Sequence, residues 1–187
     1  MTKEMNDTLI SEFTKEEIVS ANKQMHPTKA PGPDGMPALF YKIFWHIIEH
    51  DVTKLCLSML KGQSQFHEIN QTHIILIPKV KNPKHISQFR PINLCNVVYK
   101  IIAKVLANRL KVVLPECISN TQSAFFPDKL ITDNALVAFE LFHTFKNKRR
   151  GSKGSYALKL DMTKAYDRVE WHFLEAMMRK VFSFQMD

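Results

Sequence analysis

Residues 158–171 read LKLDMTKAYDRVEW and hold two aspartates, Asp161 and Asp167, six positions apart. Asp167 and Glu170 have the spacing of a helix start, because the first carboxylate can accept from free backbone N–H groups and the second can reach back. Asp161 instead ends an alternating apolar run that is typical of a strand. A carboxylate at a strand end beside a turn can hold Mg²⁺ next to phosphate. From the residues alone, a metal site and an ordinary strand end both stay open.

The charge of the chain is concentrated in one block. The net charge is +8 and the pI is about 9.4, which predicts an acidic partner. No Asp or Glu occurs from Ile69 to Pro115, whereas that window holds Lys79, Lys81, Lys84, Arg90, Lys100, Lys104, Arg109 and Lys111. Such a block predicts a surface for phosphates, and a solvated, solubilising face is the alternative.

The cysteines and the N-terminus indicate the compartment. Three separated cysteines, Cys56, Cys95 and Cys117, form no CxxC pair and suggest neither a disulfide framework nor a zinc ribbon. The N-terminus lacks the apolar core of a signal peptide, and no apolar run reaches membrane-spanning length. We therefore expect an intracellular protein, nuclear or cytoplasmic, that is neither secreted nor bound to a membrane. The basic run at residues 146–154 is interpreted as a solvated connector, with a nuclear localisation signal as the alternative.

The first part of the chain is predicted to be helical around a rigid turn. Thr14 and Glu17 form a capping-box pattern, so a short helix should follow and run to about Met25. Residues 29–35, KAPGPDG, cannot be helical and predict a turn. A single helix is expected over 37–62, with an apolar face made of Phe40, Ile43, Phe44, Ile47, Ile48 and Leu55.

The central part predicts a hairpin. The short β-branched run HIILI, residues 73–77, indicates a buried strand that Pro78 stops. A basic loop with an Asn-Pro turn signal follows, and FRPINL then resumes in extended form because Arg90 precedes a proline.

An amphipathic helix is expected over 97–114. Its lysines, Lys100, Lys104 and Lys111, lie opposite an apolar face of Val98, Ile101, Ile102, Val105, Leu106, Val112 and Val113. Arg109 falls inside that apolar arc. We expect it to snorkel along its stem, and a buried partner is the alternative. Helices over 132–146 and 168–182 and a strand over 156–161 complete an α+β pattern.

The stretch LKLDMTKAYDRVEW resembles the first catalytic motif of reverse transcriptases, specifically those of plant non-LTR (LINE-type) retrotransposons. Four further blocks share this resemblance in order: KAPGPDG, THIILIPK, FRPINLCNVVYKIIAKVLANRL and QSAFFPDKLITDN. The resemblance implies a partial right-hand polymerase fold, with helix-rich fingers, a β-hairpin, and the first palm strand and helix. It divides the chain into a lead-in with a short helix at 1–28, fingers at 29–150 and the start of the palm at 151–187.

The resemblance also implies roles for individual residues. Asp161 would be the catalytic metal-binding aspartate, and the Met162 carbonyl would be a further metal ligand. Lys164 and Ala165 would offer backbone N–H groups to the triphosphate, and Tyr166 would be the aromatic gate under the sugar. Arg90, with Lys79 as a companion, would hold the triphosphate. An exception within the resemblance is Asp128-Lys129, which stands where the family usually has Gly-Arg and could strain the loop or repel template phosphate.

The implied activity is RNA-directed DNA synthesis by a nucleotidyltransferase. Its partners would be an RNA template, a DNA primer and deoxynucleoside triphosphates, and its cofactor would be Mg²⁺ in a two-metal site. No Asp-Asp pair for the second half of that site occurs in the sequence. We therefore expect the 187 residues alone not to polymerise, with the rest of the palm and the thumb supplied by a longer polyprotein. From their charge placement, Lys100, Lys104 and Lys111 are predicted to lie near the template backbone.

Three alternatives remain. His46, Glu49 and His50 spell an inverted zinc motif on a predicted helix and would indicate a metallopeptidase. The chain could also be a non-catalytic nucleic-acid-binding remnant, with steeply salt-dependent binding and no turnover. Finally, the chain could fold poorly, because the strand over 156–161 lacks its palm partners.

Overall fold

The computed structural model describes residues 2–67, 69–119, 122, 130–147, 156–158, 160 and 168–182. Their helices are α1 (Lys3–Ile10), α2 (Lys15–Gln24), α3 (Ala38–Ile43), α4 (Trp45–Leu60), α5 (Val97–Cys117), α6 (Ile131–Asn147) and α7 (Trp171–Phe182). Two strands, β1 (Thr72–Pro78) and β2 (Phe89–Cys95), form an antiparallel pair, and a 3-10 turn covers Ile86–Gln88. The predicted mixture of helices with a small sheet is confirmed. The chain divides into two compact units, residues 7–112 and residues 1–6 with 113–187.

Helix α2 begins at the capping box that its sequence predicts. The Thr14 hydroxyl accepts from the Glu17 backbone N–H at 3.3 Å, and the Glu17 carboxylate accepts from the Thr14 N–H at 2.8 Å. The helix ends at Gln24, and Met25 is extended, as expected. This reciprocal bonding satisfies two backbone donors that a helix start leaves without an intrahelical partner.

The single helix predicted over 37–62 is wrong, because the chain breaks at Phe44. Phe44 has φ −94° and ψ 13°, and it ends α3 and precedes α4. The predicted apolar face is wrong at Ile43, Phe44, Ile47 and Leu55, which are 38% to 65% exposed. It is confirmed at Phe40 and Ile48, which pack against the core. The break turns a different set of residues inward: Ala38, Tyr41, Val52, Thr53, Cys56 and Met59. The hydrophobic periodicity identified apolar residues of this segment. The face that packs into the core, however, also includes small and polar side chains such as Ala38 and Thr53.

One core holds the unit of residues 7–112 together. It joins side chains of α2, α3, α4 and α5 with Ile69, and α5 contributes Val97, Val98, Ile101, Ile102 and Val105. The predicted helix at 97–114 is confirmed and extends through Pro115 to Cys117. Leu106 and Val112, which the prediction placed on the apolar face, are exposed.

Arg109 is buried, and the snorkelling interpretation is wrong. The residue is 8% exposed, and its guanidinium donates to both oxygens of the Glu17 carboxylate at 2.6 and 2.8 Å. It also donates to the backbone carbonyls of Leu9, Ser11 and Glu12 at 3.1, 2.5 and 2.8 Å. The partners lie 92 to 100 positions away along the chain, so no local pattern could reveal them.

The predicted hairpin forms, but the burial predicted for its first strand is wrong. The pairing runs from Thr72 opposite Cys95 to Pro78 opposite Phe89. Ile74 is 67% exposed and Ile75 is 47% exposed. A run of β-branched residues favours extended backbone, whereas burial needs a second layer packed on the sheet. Prolines suit these strands because each strand has a free edge.

The C-terminal helices and strand predicted from the sequence agree only in part with the structure. Helix α6 confirms the helix predicted at 132–146. Helix α7 begins at Trp171 rather than at Arg168, where the sequence predicted its start. Residues 156–158 and 160 form no strand, which corrects the prediction for 156–161 over those positions. A strand needs a hydrogen-bonded neighbour, and the sheet of the described residues contains only β1 and β2. In the described part of the chain, no helix combines the length and apolarity needed to span a bilayer.

Candidate nucleotide and nucleic-acid site

The hairpin carries two cations near its loop end, Lys79 and Arg90. Arg90 stands directly opposite Ile77, and Lys79 is two residues beyond Ile77. Strand β1 ends at Pro78, so Lys79 lies one residue past it, where its backbone N–H donates to the Gln88 carbonyl. Both side chains are exposed. The hairpin therefore brings together the two residues that the sequence assigned to a triphosphate.

The two cations differ in how firmly they are held. The Lys79 ammonium donates to the Ser87 carbonyl at 3.0 Å, across the mouth of the loop. Among the described residues, no side chain pairs with the Arg90 guanidinium. Arg90 is thus free to bind an external anion with its planar set of donors.

Gln88 orders the loop between the strands. Its side-chain oxygen accepts from the backbone N–H groups of Lys84 and His85 at 2.6 and 3.1 Å. Its own carbonyl accepts from the Lys79 N–H at 2.7 Å, which extends the ladder by one pair. Asn82, with φ 60°, occupies the left-handed region that asparagine tolerates in turns. The basic loop is therefore a folded turn, and its sequence gave no sign of the part that Gln88 plays.

The turn at residues 29–35 packs against the start of α5. Asn96 immediately precedes α5, and its side-chain oxygen accepts from the Asp34 N–H at 3.3 Å. Gly32 is buried, and a Cβ there would overlap the backbone of Asn96. Gly35 has φ +70° and donates its N–H to the Gly32 carbonyl at 3.1 Å. The predicted turn is confirmed, and its two glycines serve different needs: close approach and positive φ.

The lysines predicted to contact the template are not equivalent. The Lys100 ammonium donates to the Ala30 carbonyl at 2.7 Å, and burial lowers the pKa of Lys100. Lys104 is half-buried, and Lys111 is exposed. Lys100 therefore holds the glycine-rich turn to α5, and the role of all three lysines in binding nucleic acid stays a prediction.

The residues that carry the implied metal chemistry lie outside the described residues. These are Asp161 and Met162, with the nucleotide-binding Lys164, Ala165 and Tyr166. The helix-start residue Asp167 and the Asp128-Lys129 pair also lie outside them. Their roles remain predictions from the sequence. Across the residues that are described, no three His, Cys, Asp or Glu side chains are grouped so that they could hold a metal ion.

The described residues that form no such metal-binding group include the inverted zinc motif on α4. The Glu49 carboxylate forms an ion pair with Lys15 at 2.7 Å, and His46 and His50 are exposed. The pairing with Glu49 raises the pKa of Lys15, through a hydrogen bond first and charge second. Glu49 therefore has a structural partner in this unit.

Comparison with known proteins agrees with the resemblance of the motifs. Residues 77–187, more than half of the chain, match the family described as reverse transcriptase (RNA-dependent DNA polymerase). The "Transposon TX1 uncharacterized 149 kDa protein" of Xenopus laevis is 32% identical over 168 residues, which cover 90% of this chain and 13% of that protein. The "Retrovirus-related Pol polyprotein from type-1 retrotransposable element R2" of Nasonia vitripennis is 29% identical over 159 residues, or 84% of this chain and 14% of that protein. The chain therefore belongs to the reverse transcriptase family, and these similarities support its assignment to a reverse transcriptase domain of a non-LTR retroelement.

Proposed function

We propose that this chain supplies the fingers and the first catalytic aspartate of an RNA-directed DNA polymerase. The substrates would be an RNA template, a DNA primer and deoxynucleoside triphosphates. The observation that carries the proposal is the family match over residues 77–187, which includes Lys79, Arg90 and Asp161. The right-hand polymerase architecture, a plant origin and a nuclear or cytoplasmic location belong to the same proposal and come from the sequence resemblance.

The reaction joins a primer to a nucleotide. The primer 3′-hydroxyl gives up its proton to water, and its oxygen forms a bond to the α-phosphorus. The bond from that phosphorus to the bridging oxygen breaks, and pyrophosphate leaves with the electron pair. Arg90 can grip two phosphate oxygens at once, because its guanidinium is planar and always charged. Lys79 adds a point charge at the same end of the hairpin. Both cations would stabilise the negative charge that builds on the leaving pyrophosphate.

The donor set predicted for the metal fits Mg²⁺. The Asp161 carboxylate and the Met162 carbonyl are both hard oxygen ligands, which Mg²⁺ prefers. When bound, Mg²⁺ supplies a Lewis acid that neutralises phosphate charge and favours ionisation of the primer hydroxyl. A two-metal site needs further carboxylates, and we propose that these come from a longer polypeptide, as the greater lengths of the two relatives suggest.

The remaining residues would orient the nucleotide and the template. Backbone N–H groups of Lys164 and Ala165 would donate to the triphosphate, and the Tyr166 ring would lie under the sugar and leave no room for a 2′-hydroxyl. Lys104 and Lys111 would approach the template backbone, and Lys100 would contribute mainly by fixing the turn at residues 29–35.

Calorimetric titration of the 187-residue chain with dTTP, with and without Mg²⁺, tests the role of Asp161. We expect Mg²⁺ to strengthen binding and Asp161→Asn to abolish that gain while leaving the Mg²⁺-free affinity unchanged. Asp133→Asn is the control, because Asp133 bonds locally to the Leu130 N–H at 2.9 Å. A Mg²⁺ effect that survives Asp161→Asn would contradict the assignment. RNA binding without any binding of dTTP would favour a non-catalytic nucleic-acid-binding protein.

A further inference from the structure

The hydrogen-bonding phase of the hairpin shows which backbone groups face outward. The Lys79 N–H donates to the Gln88 carbonyl at 2.7 Å, one position past the last strand pair, Pro78 with Phe89. In an antiparallel ladder, pairs that exchange backbone hydrogen bonds alternate with pairs that do not. The pair of Pro78 with Phe89, and every second pair back from it, is therefore of the kind whose N–H and C=O groups point away from the partner strand.

The outer edges of the two strands are not equivalent. On β1 the outward residues begin with Thr72, Ile74 and Leu76, each of which has an N–H. Pro78, which has none, comes last. On β2 the outward residues include Pro91, so a donor is missing in the middle of that strand. An added strand needs a continuous row of donors and acceptors, and β1 is the edge that offers one.

The outer edge of β1 is also unprotected. Sheets commonly guard a free edge with charged side chains, prolines or bulges. Strand β1, THIILIP, contains no lysine, arginine or carboxylate, and its proline comes only at the end. Its residues 74–77 are 45% to 67% exposed. Among the described residues the sheet has no third strand, and a two-stranded ribbon alone is marginally stable.

We propose that β1 pairs, antiparallel and through this edge, with β1 of a second copy of the chain. A two-fold axis at Ile74 would place Ile74 opposite itself and Thr72 opposite Leu76 of the second copy. Each of these pairs would exchange two backbone hydrogen bonds, because all three residues face outward. The contact would be isologous and closed, and would convert two hairpins into one four-stranded sheet.

The sequence of β1 favours this register over its neighbours. A shift of two residues in one direction would place Pro78 opposite Thr72 and lose a donor. A shift in the other direction would place Leu76 opposite Asn70, whose N–H already donates to the Phe66 carbonyl at 2.9 Å. The register centred on Ile74 avoids both losses.

Charge does not oppose a second copy in this arrangement. Antiparallel pairing directs the two basic loops to opposite ends of the sheet. Lys79 of one copy would lie about 34 Å along the sheet from Lys79 of the other, well beyond the screening length of about 10 Å at 0.1 M salt. The loop end with Lys79 and Arg90 stays open, so the pairing goes beyond the proposed function and does not depend on it. Strands this short bury less than the roughly 1,200 Å² of a stable interface, and we therefore expect a weak dimer.

The first test is sedimentation velocity of the full 187-residue chain from micromolar to millimolar concentration. The wild type should dimerise, and Ile74→Lys should weaken self-association about tenfold or more, because two lysines directly opposite repel. Asn93→Lys is the matched control. Asn93 is exposed and stands opposite Ile74 on β2, so the variant adds the same charge to the other edge. Equal melting temperatures at micromolar concentration establish that both variants are folded.

The second test cross-links the proposed register and does not depend on the lysine variants. In Ile74→Cys the two positions 74 would have Cα atoms about 5.5 Å apart, within the range of a disulfide. In Leu76→Cys the two positions 76 would be about 14 Å apart, beyond that range. Mild oxidation should therefore link position 74 to itself and leave position 76 unlinked. Peptide mass spectrometry separates these products from cross-links at Cys95 and Cys117.

The possible results separate the second copy from other occupants of the edge. A wild type that stays monomeric at millimolar concentration overturns the proposal and leaves β1 to a strand of a different chain. A dimer that Ile74→Lys leaves unchanged forms through another surface, and one that Asn93→Lys breaks forms through β2. Either result contradicts the proposal. A cross-link at position 76 without one at position 74 would refute the register.

Discussion

Arg109 of α5 and Glu17 of α2 form a two-pronged ion pair, with Nε–Oε1 at 2.6 Å and Nη2–Oε2 at 2.8 Å. The same Glu17 carboxylate closes the capping box with Thr14. Three backbone carbonyls complete the set, so the guanidinium makes five hydrogen bonds with its five N–H donors. The centroid of the Phe13 ring lies 3.8 Å from the guanidinium carbon of Arg109. This arrangement fixes the segment before α2 to the central helix of the unit.

Arg109→Ala should strongly destabilise the chain. The substitution leaves three carbonyls and a carboxylate without their donor. Breaking a fully buried pair costs about 3–5 kcal/mol, and the loss here should lie near the lower end because the Glu17 side chain is 30% exposed. Urea unfolding at neutral pH measures the loss. Arg179→Ala is the control, because the Arg179–Glu175 pair on α7 is exposed and should contribute less than about 1 kcal/mol. Equal losses from the two variants would show that the burial of Arg109 adds nothing.

The same pair should make stability depend on pH in the acidic range. The hydrogen bond from Arg109 is the main cause that lowers the pKa of Glu17 from its ordinary value of 4.5. The unfolded chain therefore binds this proton at a higher pH than the folded chain does. The stabilisation is complete above the unfolded pKa and is lost as the pH falls through the folded pKa. Melting temperatures measured from pH 6 to pH 3 should fall less steeply for Glu17→Gln than for the wild type, and parallel curves would refute this linkage.

Cys56 should be the slowest thiol to react. It is fully buried in the core, and burial raises its pKa to about 12. The thiolate is the reactive form, so labelling of Cys56 by an aromatic disulfide reagent requires unfolding. Cys95 and Cys117 are half-buried and should be modified first in the native chain. Mass spectrometry of peptides after timed labelling checks the order, and early labelling of Cys56 would contradict the described core.

Gly32→Ala should cost more stability than Gly35→Ala. A Cβ at position 32 would overlap backbone atoms of Cys95 and Asn96, which cannot rotate away, so we expect a loss of about 3 kcal/mol. Position 35 is open, and the penalty there comes only from its φ of +70°, at about 1–2 kcal/mol. Chemical denaturation of the two variants compares these costs. The reverse order would mean that the turn does not pack on the start of α5.

The sequence predicted what depends on near neighbours. The capping box of α2, the hairpin and the helix that begins at Val97 follow from patterns within a few residues, and the structure has all three. The exposure of β1 and the break at Phe44 were not predicted, because they depend on which layers pack against a segment. The Arg109–Glu17 pair and the contact from Lys100 to the Ala30 carbonyl join positions 92 and 70 residues apart, which periodicity cannot detect.

The candidate site likewise contains residues whose placement local sequence patterns predicted and residues whose role those patterns could not establish. The placement of Lys79 and Arg90 near the loop end follows from a hairpin that the sequence predicted. The assignment of Asp161 comes from the resemblance of its motif to a family, since its spacing from Asp167 left a structural role equally open.

The most direct test of the account is the affinity of the full chain for dTTP in wild type, Arg90→Ala and Lys23→Ala, measured without Mg²⁺ so that only the protein's cations contribute. A charge-assisted bond from a free guanidinium is worth about 1.5–3 kcal/mol, which predicts at least a tenfold weaker binding for Arg90→Ala. Lys23→Ala should bind as the wild type does, because Lys23 is an exposed lysine of α2 and not part of the hairpin. If Arg90→Ala and Lys23→Ala bind dTTP equally well, the hairpin does not hold the triphosphate, and the role given to Arg90 is wrong.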